Sequence, residues 1–114
     1  MVARSTVSDD EVLLEVRGAL QGTPASDFHA TLAGLVKGPY KSIVLDFRDL
    51  VSINSSSVGL ILMSRKKLAE QGRTIRIDGC SDTVYGTFQL LRFDRLVQIR
   101  RQPAGTQEES GLTR

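Results

Sequence analysis

The chain reads as an α/β protein. Three observations predict it. Strand-like runs alternate with helix-like runs, the helix-like runs exceed about ten residues, and Ser42–Phe47 is apolar on both alternations apart from Asp46. Strands separated by helices of that length need crossover connections, which implies a mainly parallel or mixed sheet. At 114 residues, 40% hydrophobic and 25% charged, the chain has room for one domain with one core.

The elements follow in order. Glu11 to Gly18 sets Val12, Leu14 and Val16 on one side and ends at a glycine, the pattern of a strand with one buried face. Thr23 is a candidate N-cap with Pro24 at the first helical position. Phe28, Leu32, Leu35 and Val36 then recur at helical spacing until Gly38-Pro39 stops the helix. Ser42–Phe47 is a central strand covered on both faces. From about Ser55 to Gln71 the apolar spacing is again helical, and Gly72 is placed to end that helix. Arg73 to Asp78 supplies a strand with Ile75 and Ile77 facing one way. Ser81 or Asp82 caps a third helix that aligns Val84, Phe88 and Leu91, and Leu96 to Arg100 closes with a short strand. The domain is expected over residues 1–102. Residues 103–114 carry Leu112 as their single large apolar residue and are expected to be a disordered tail.

Composition excludes several function classes. With no Trp, four Phe and two Tyr, the core is expected to be aliphatic, and stacking platforms for single-stranded nucleic acid are scarce. Fifteen basic against thirteen acidic residues give a net charge of +2, too small a field to drive phosphate-backbone or anionic-membrane binding. The clusters Arg65–Lys66–Lys67 and Arg92, Arg95, Arg100, Arg101 therefore read as solvated faces. No nucleic-acid partner and no membrane insertion are expected. The lone Cys80 reads as a buried, inert thiol in a reducing compartment. No apolar signal core or membrane span is visible, so a cytoplasmic protein is expected. No Cys/His metal spacing or Gly-rich phosphate loop occurs, and no cofactor is expected.

Attention falls on three consecutive serines, Ser55, Ser56 and Ser57, where the second helix begins. They could be caps, a nucleophile or phosphate acceptors. On a wheel of about 100° per residue, Val58, Ile61, Leu62, Leu68 and Ala69 form the core stripe, while Ser56 shares the outward side with Gly59, Leu60, Met63 and Lys67. An outward face with Leu60 and Met63 beside a serine and a glycine predicts a docking surface. Asn54 or Ser55 as N-cap leaves Ser56 in the first turn, where free N–H groups and the helix dipole tolerate a phosphate. That phosphate would add roughly −1.5 to −2 charges to the apolar face and oppose docking. Catalysis is poorly supported. Ser55 replaces the first Gly of a G-x-S-x-G elbow, and the sole histidine, His29, lies on another helix with no adjacent acid and is expected to face solvent.

Leu45-Asp46-Phe47, Asn54-Ser55-Ser56-Ser57-Val58, Gly72 and Leu90-Leu91-Arg92-Phe93-Asp94-Arg95-Leu96 stand in an order and spacing that resemble the STAS domain, the fold of anti-sigma-factor antagonists, over residues 9–101. The resemblance implies a mixed sheet with helices packed mostly on one side. It also implies a non-enzymatic regulator in a bacterial partner-switching system acting on transcription. An anti-sigma factor that is itself a serine kinase would bind the helix starting near Ser55, and a serine phosphatase would reset the phosphorylated form. Carried over by position, Ser56 is the phosphoacceptor, with Ser55 or Ser57 as alternatives, and Asn54, Ser55, Ser57, Gly59, Leu60, Met63 and Lys67 belong to the partner-binding surface. The family's motif Asp is Asn54 here and its motif Gly is Ser57; an Asp common before the first helix is Gln21. The alternative reading is an unphosphorylated STAS subunit docked on a membrane transport ATPase.

Overall fold

The computed structural model describes residues 2–8 and 10–100; the expected tail at 103–114 lies outside them. A five-stranded sheet runs in the order β1 (Val2–Thr6), β2 (Glu11–Val16), β4 (Ser42–Phe47), β6 (Thr74–Cys80), β7 (Gln98–Arg100). β1 pairs antiparallel with β2 and every other pairing is parallel, so the sheet is mixed, as expected. The short strands β3 (Gly18–Leu20) and β5 (Leu50–Ile53) pair separately. Helices α1 (Thr23–Lys37), α2 (Ser55–Ala69) and α3 (Asp82–Leu90) connect the strands, with a 3₁₀ turn at Phe93–Arg95 before β7.

Register puts Val12, Ile43 and Ile75 in one row and Leu14, Leu45 and Ile77 in the next. All six are buried and belong to one cluster with Phe28, Leu32 and Leu35 of α1, Val58, Ile61 and Leu68 of α2, and Val84 and Phe88 of α3. The three helices therefore cover the same face of the sheet, because a face of β-branched and leucine side chains must be removed from water. The core is not purely aliphatic. Phe28, Phe47, Phe88 and Phe93, all the phenylalanines of the chain, form a run with successive centroids 6.3, 6.3 and 4.7 Å apart. Composition counted few aromatics but could not show that every one is spent on the core.

The opposite face is mixed: Val44 is buried there beside Leu13, and the rest of the face is largely charged. Glu15, Asp46 and Asp78 share one row across β2, β4 and β6, and Arg100 of β7 continues it. Arg48 reaches back over this face, donating from Nε and its backbone N–H to Asp46 Oδ1 at 3.1 Å each and from Nη2 to Oδ2 at 2.8 Å. Space for that arginine comes from a bulge in β6, where Gly79 has φ 74° and a Cβ would run into Arg48 Cγ. Burial pushes the Asp46 carboxyl up, but the bonds from Arg48 and its positive charge outweigh this and hold it below its ordinary value.

Three local readings change. Gly22, at φ 63°, is the N-cap of α1 and makes no side-chain cap bond, so Thr23 is the first helical residue. Ala69 and Leu91, expected in the core, are exposed. Strands β1, β3 and β5 were not anticipated: β3 and β5 are too short to show a period, and β1 (VARST) has a single large apolar residue.

Arg73 follows Gly72, whose left-handed φ of 71° turns the chain away from α2. Its guanidinium caps the C-terminus of α1 across the fold, donating to the carbonyls of Tyr40 at 2.6 Å, Val36 at 2.8 Å, Gly38 at 2.9 Å and Leu35 at 3.4 Å. Helix-end carbonyls otherwise lack partners, and the planar fork satisfies several at once. Arg73→Ala should lower unfolding free energy by about 2 kcal/mol in urea titration, and Arg73→Lys should recover less than half of that.

Asp46 gives a pH signature. A carboxylate with a lowered native pKa contributes stability above its unfolded value, near 4, that is lost as pH falls through the native value. Asp46→Asn should therefore flatten the fall of stability below about pH 4, measured by thermal melts across that range. A wild-type slope in the variant would assign the acid sensitivity to other carboxylates.

Candidate functional site

The start of α2 is set by Asn54. Its backbone is extended (φ −90°, ψ 163°) and its side-chain Oδ1 accepts the Ser57 N–H at 2.9 Å, while its carbonyl accepts the Val58 N–H at 3.2 Å. Asn54 is thus the cap, Ser55 opens the helix, and Ser56 lies exposed in the first turn. No acidic residue occupies that turn.

The three serines have three situations. Ser55 and Ser56 are exposed; Ser57 is 0% exposed. Its hydroxyl lies 3.0 Å from Nε2 of His29, on α1. This corrects two expectations. Ser57, expected on the outer surface, is buried in this fold, and His29 is a half-buried inter-helix tie, not a solvent-facing residue. The buried stripe of α2 is Ser57, Val58, Ile61, Ser64 and Leu68, with two serines where the wheel had placed Leu62 and Ala69. The Ser57–His29 pair has the spacing of a catalytic dyad, yet a fully buried hydroxyl offers no access to an acyl substrate.

Outward on α2 are Ser56, Gly59, Met63 and Lys67, as the wheel placed them. Met63 is 57% exposed, a large apolar side chain left in water. Leu60 is half-buried, packed partly against the core. A Cβ on Gly59 would meet nothing within 4 Å, so nothing inside the domain requires a glycine there. Beyond Leu60 and Met63 the surface dips into a groove against Ala33 and Val36 of α1.

Among the described residues no group of three or more His, Cys, Asp or Glu is arranged to hold a metal ion. Cys80 is buried. No described helix is long and apolar enough to cross a membrane.

A family model described as Mlab, STAS domain, matches residues 4–98. The chain belongs to the STAS domain family. Solved structures with the same fold include the anti-sigma factor antagonist SpoIIAA in its unphosphorylated form, at TM-score 0.77 and 20% identity over 93% of this chain and 91% of that one. The Bacillus cell fate determinant SpoIIAA in its phosphorylated form aligns at TM-score 0.71 and 19% identity, covering 93% and 95% of the two chains. An anti-sigma factor antagonist from Mycobacterium paratuberculosis aligns at 0.77 and 12% identity over 88% and 84%. These likenesses establish the fold. No curated protein sequence matches the chain. Within this STAS domain the motif residues Asp46 and Asn54 have local structural duties, an arginine clamp and a helix cap, that their positions in the sequence did not separate from a role with partners.

The tie between α1 and α2 can be measured. Ser57→Ala and His29→Leu should each cost about 1–3 kcal/mol by leaving a buried polar partner unpaired. The double variant should lose less than their sum, by about 1 kcal/mol. Strict additivity would mean the 3.0 Å contact contributes nothing to holding the helices together.

Proposed function

We propose that this STAS domain is an anti-sigma-factor antagonist of a partner-switching system. It binds an anti-sigma serine kinase through α2 and is released when Ser56 is phosphorylated. The observation that carries the reading is the placement of Ser56, exposed in the capped first turn of α2 and beside an outward face bearing Gly59, Leu60 and Met63. The domain itself supplies no use for that face. Gly59 in a helix interior costs about 1 kcal/mol relative to Ala, and its open surroundings leave close approach by another chain as the reason to keep it.

The charge logic is local. The first-turn N–H groups outside the helical ladder and the positive end of the dipole accommodate a phosphate on Ser56. A partner pressing an apolar surface onto Met63 must desolvate that same phosphate. Asn54 keeps the capping role of the family's motif Asp but lacks the carboxylate that the family places close to the phosphorylation chemistry. A serine phosphatase restores the binding form.

The test is partner binding and phosphate mapping. Intact-mass analysis of protein from native cells should find a single phosphate on Ser56 in unbound material and none in partner-bound material. Ser56→Asp should weaken the partner at least about tenfold by isothermal titration, whereas Ser56→Ala should bind and stay bound when ATP is supplied. Gly59→Ala should raise thermal stability while weakening the same binding. Wild-type affinity in Ser56→Asp would overturn the switch, and a transport ATPase recovered as the stable partner would replace it with a structural-subunit reading.

A further inference from the structure

We infer that the groove between α1 and α2 is a docking slot for a helical segment of the protein partner, a segment whose apolar ridge is flanked by carboxylates. This rests on the reading of α2 as a partner surface and adds α1 and the partner's chemistry to it. Ala33 and Val36 form one wall, Leu60 and Met63 the other. Lys37 and Lys67 stand at its rim, towards the C-terminal ends of both helices. Neither lysine makes an ion pair among the described residues, and no carboxylate lines the groove. An apolar slot edged by two unpaired ammonium groups complements an amphipathic helix with acidic flanks.

A second observation comes from Ser64. It is 4% exposed, it lines the groove, and its hydroxyl makes no hydrogen bond to another described residue. Buried hydroxyls are nearly always satisfied, and one left open in a groove is matched by an acceptor on whatever fills it. The slot is continuous with the face of Ser56 through Leu60 and Met63, and Lys67 lies eleven residues on, about 16 Å along the helix. A second copy of this chain does not fit the same chemistry. A two-fold contact through the groove would set lysine rims together with no carboxylate from the groove between them.

The probe is a helical peptide with leucines at i, i+4 and i+7 flanked by glutamates, compared with the same peptide carrying lysines in place of the glutamates. Methyl NMR of the full chain should show saturable shifts at Ala33, Leu60 and Met63 with the acidic peptide only. Ala33→Trp, at an exposed position, should abolish them while leaving the thermal melt unchanged. Lys37→Gln combined with Lys67→Gln should weaken binding about tenfold and remove most of its salt dependence. Ser64→Ala should raise the melting temperature and weaken the peptide, a pairing that a purely structural serine does not produce. Absence of saturable shifts at these residues, or an equal response to the lysine peptide, overturns the slot. Because the Ser56→Asp experiment uses no peptide, the switch and the slot fail separately.

Discussion

Which side chains α2 buries and which it leaves in water depends on how the helix is rotated about its own axis. Fifteen residues must bury one stripe and offer another, and a turn of about 100°, one residue, exchanges them. Apolar residues alone do not settle that rotation, because α2 carries Val58, Leu60, Ile61, Leu62 and Met63 on several sides. The polar contacts do. Asn54 Oδ1 holds the Ser57 N–H from below, and His29 holds the Ser57 hydroxyl from α1. With Ser57 turned inward, Ser56 and Gly59 point outward as a geometric consequence.

The sheet divides the remaining work between its faces. One face is apolar and lies under all three helices. On the other, charged groups are paired: Arg48 with Asp46 at 2.8 Å, Arg76 with Glu11 at 3.2 Å, Arg100 with Asp78 at 3.8 Å. Most of these pairs are exposed enough to contribute little individually. Asp46 differs because it is buried and takes three bonds from one residue, which makes Arg48 and the Gly79 bulge a unit. Arg73 plays the corresponding part on the helical side, joining the strand after α2 to the end of α1. Arg48 fastens its own strand end locally, whereas Arg73 ties together segments 33 to 38 residues apart.

Much of this was legible in the residues. Val12, Leu14 and Val16 alternate as β2 does, Ser42–Phe47 is the central strand its composition announced, and Asn54, Ser81 and Gly72 mark helix ends at or near their observed places. Periodicity alone placed Ser56, Gly59, Leu60, Met63 and Lys67 outward, and of these Leu60 is half-buried against the core. What periodicity could not see is a polar residue inside. Ser57 and Ser64 read as surface on any hydropathy wheel, and the partner that makes Ser57 tolerable in the core lies 28 residues earlier on another helix. Arg73 was invisible for the same reason, its carbonyl partners lying 33 to 38 residues away. The lone histidine was dismissed for lacking an acid, when its use is to hold a hydroxyl.

The buried serine also bears on how a switch at Ser56 would work. Moving a partner from about 99% bound to about 1% bound needs roughly 5.5 kcal/mol of difference between the two forms. A phosphate in the first turn gains only about 0.3–1 kcal/mol from the helix dipole, so the helix neither melts nor rotates in response. Ser57, tied to His29 and Asn54, resists rotation further. The energy of switching must then come from the interface, where a dianion set against Met63 and a desolvated partner surface loses hydration worth several kcal/mol. Under the proposed switch, a rigid α2 would convert a local charge into a large change in affinity, whereas a helix free to roll would turn the phosphate to solvent and leave the partner bound.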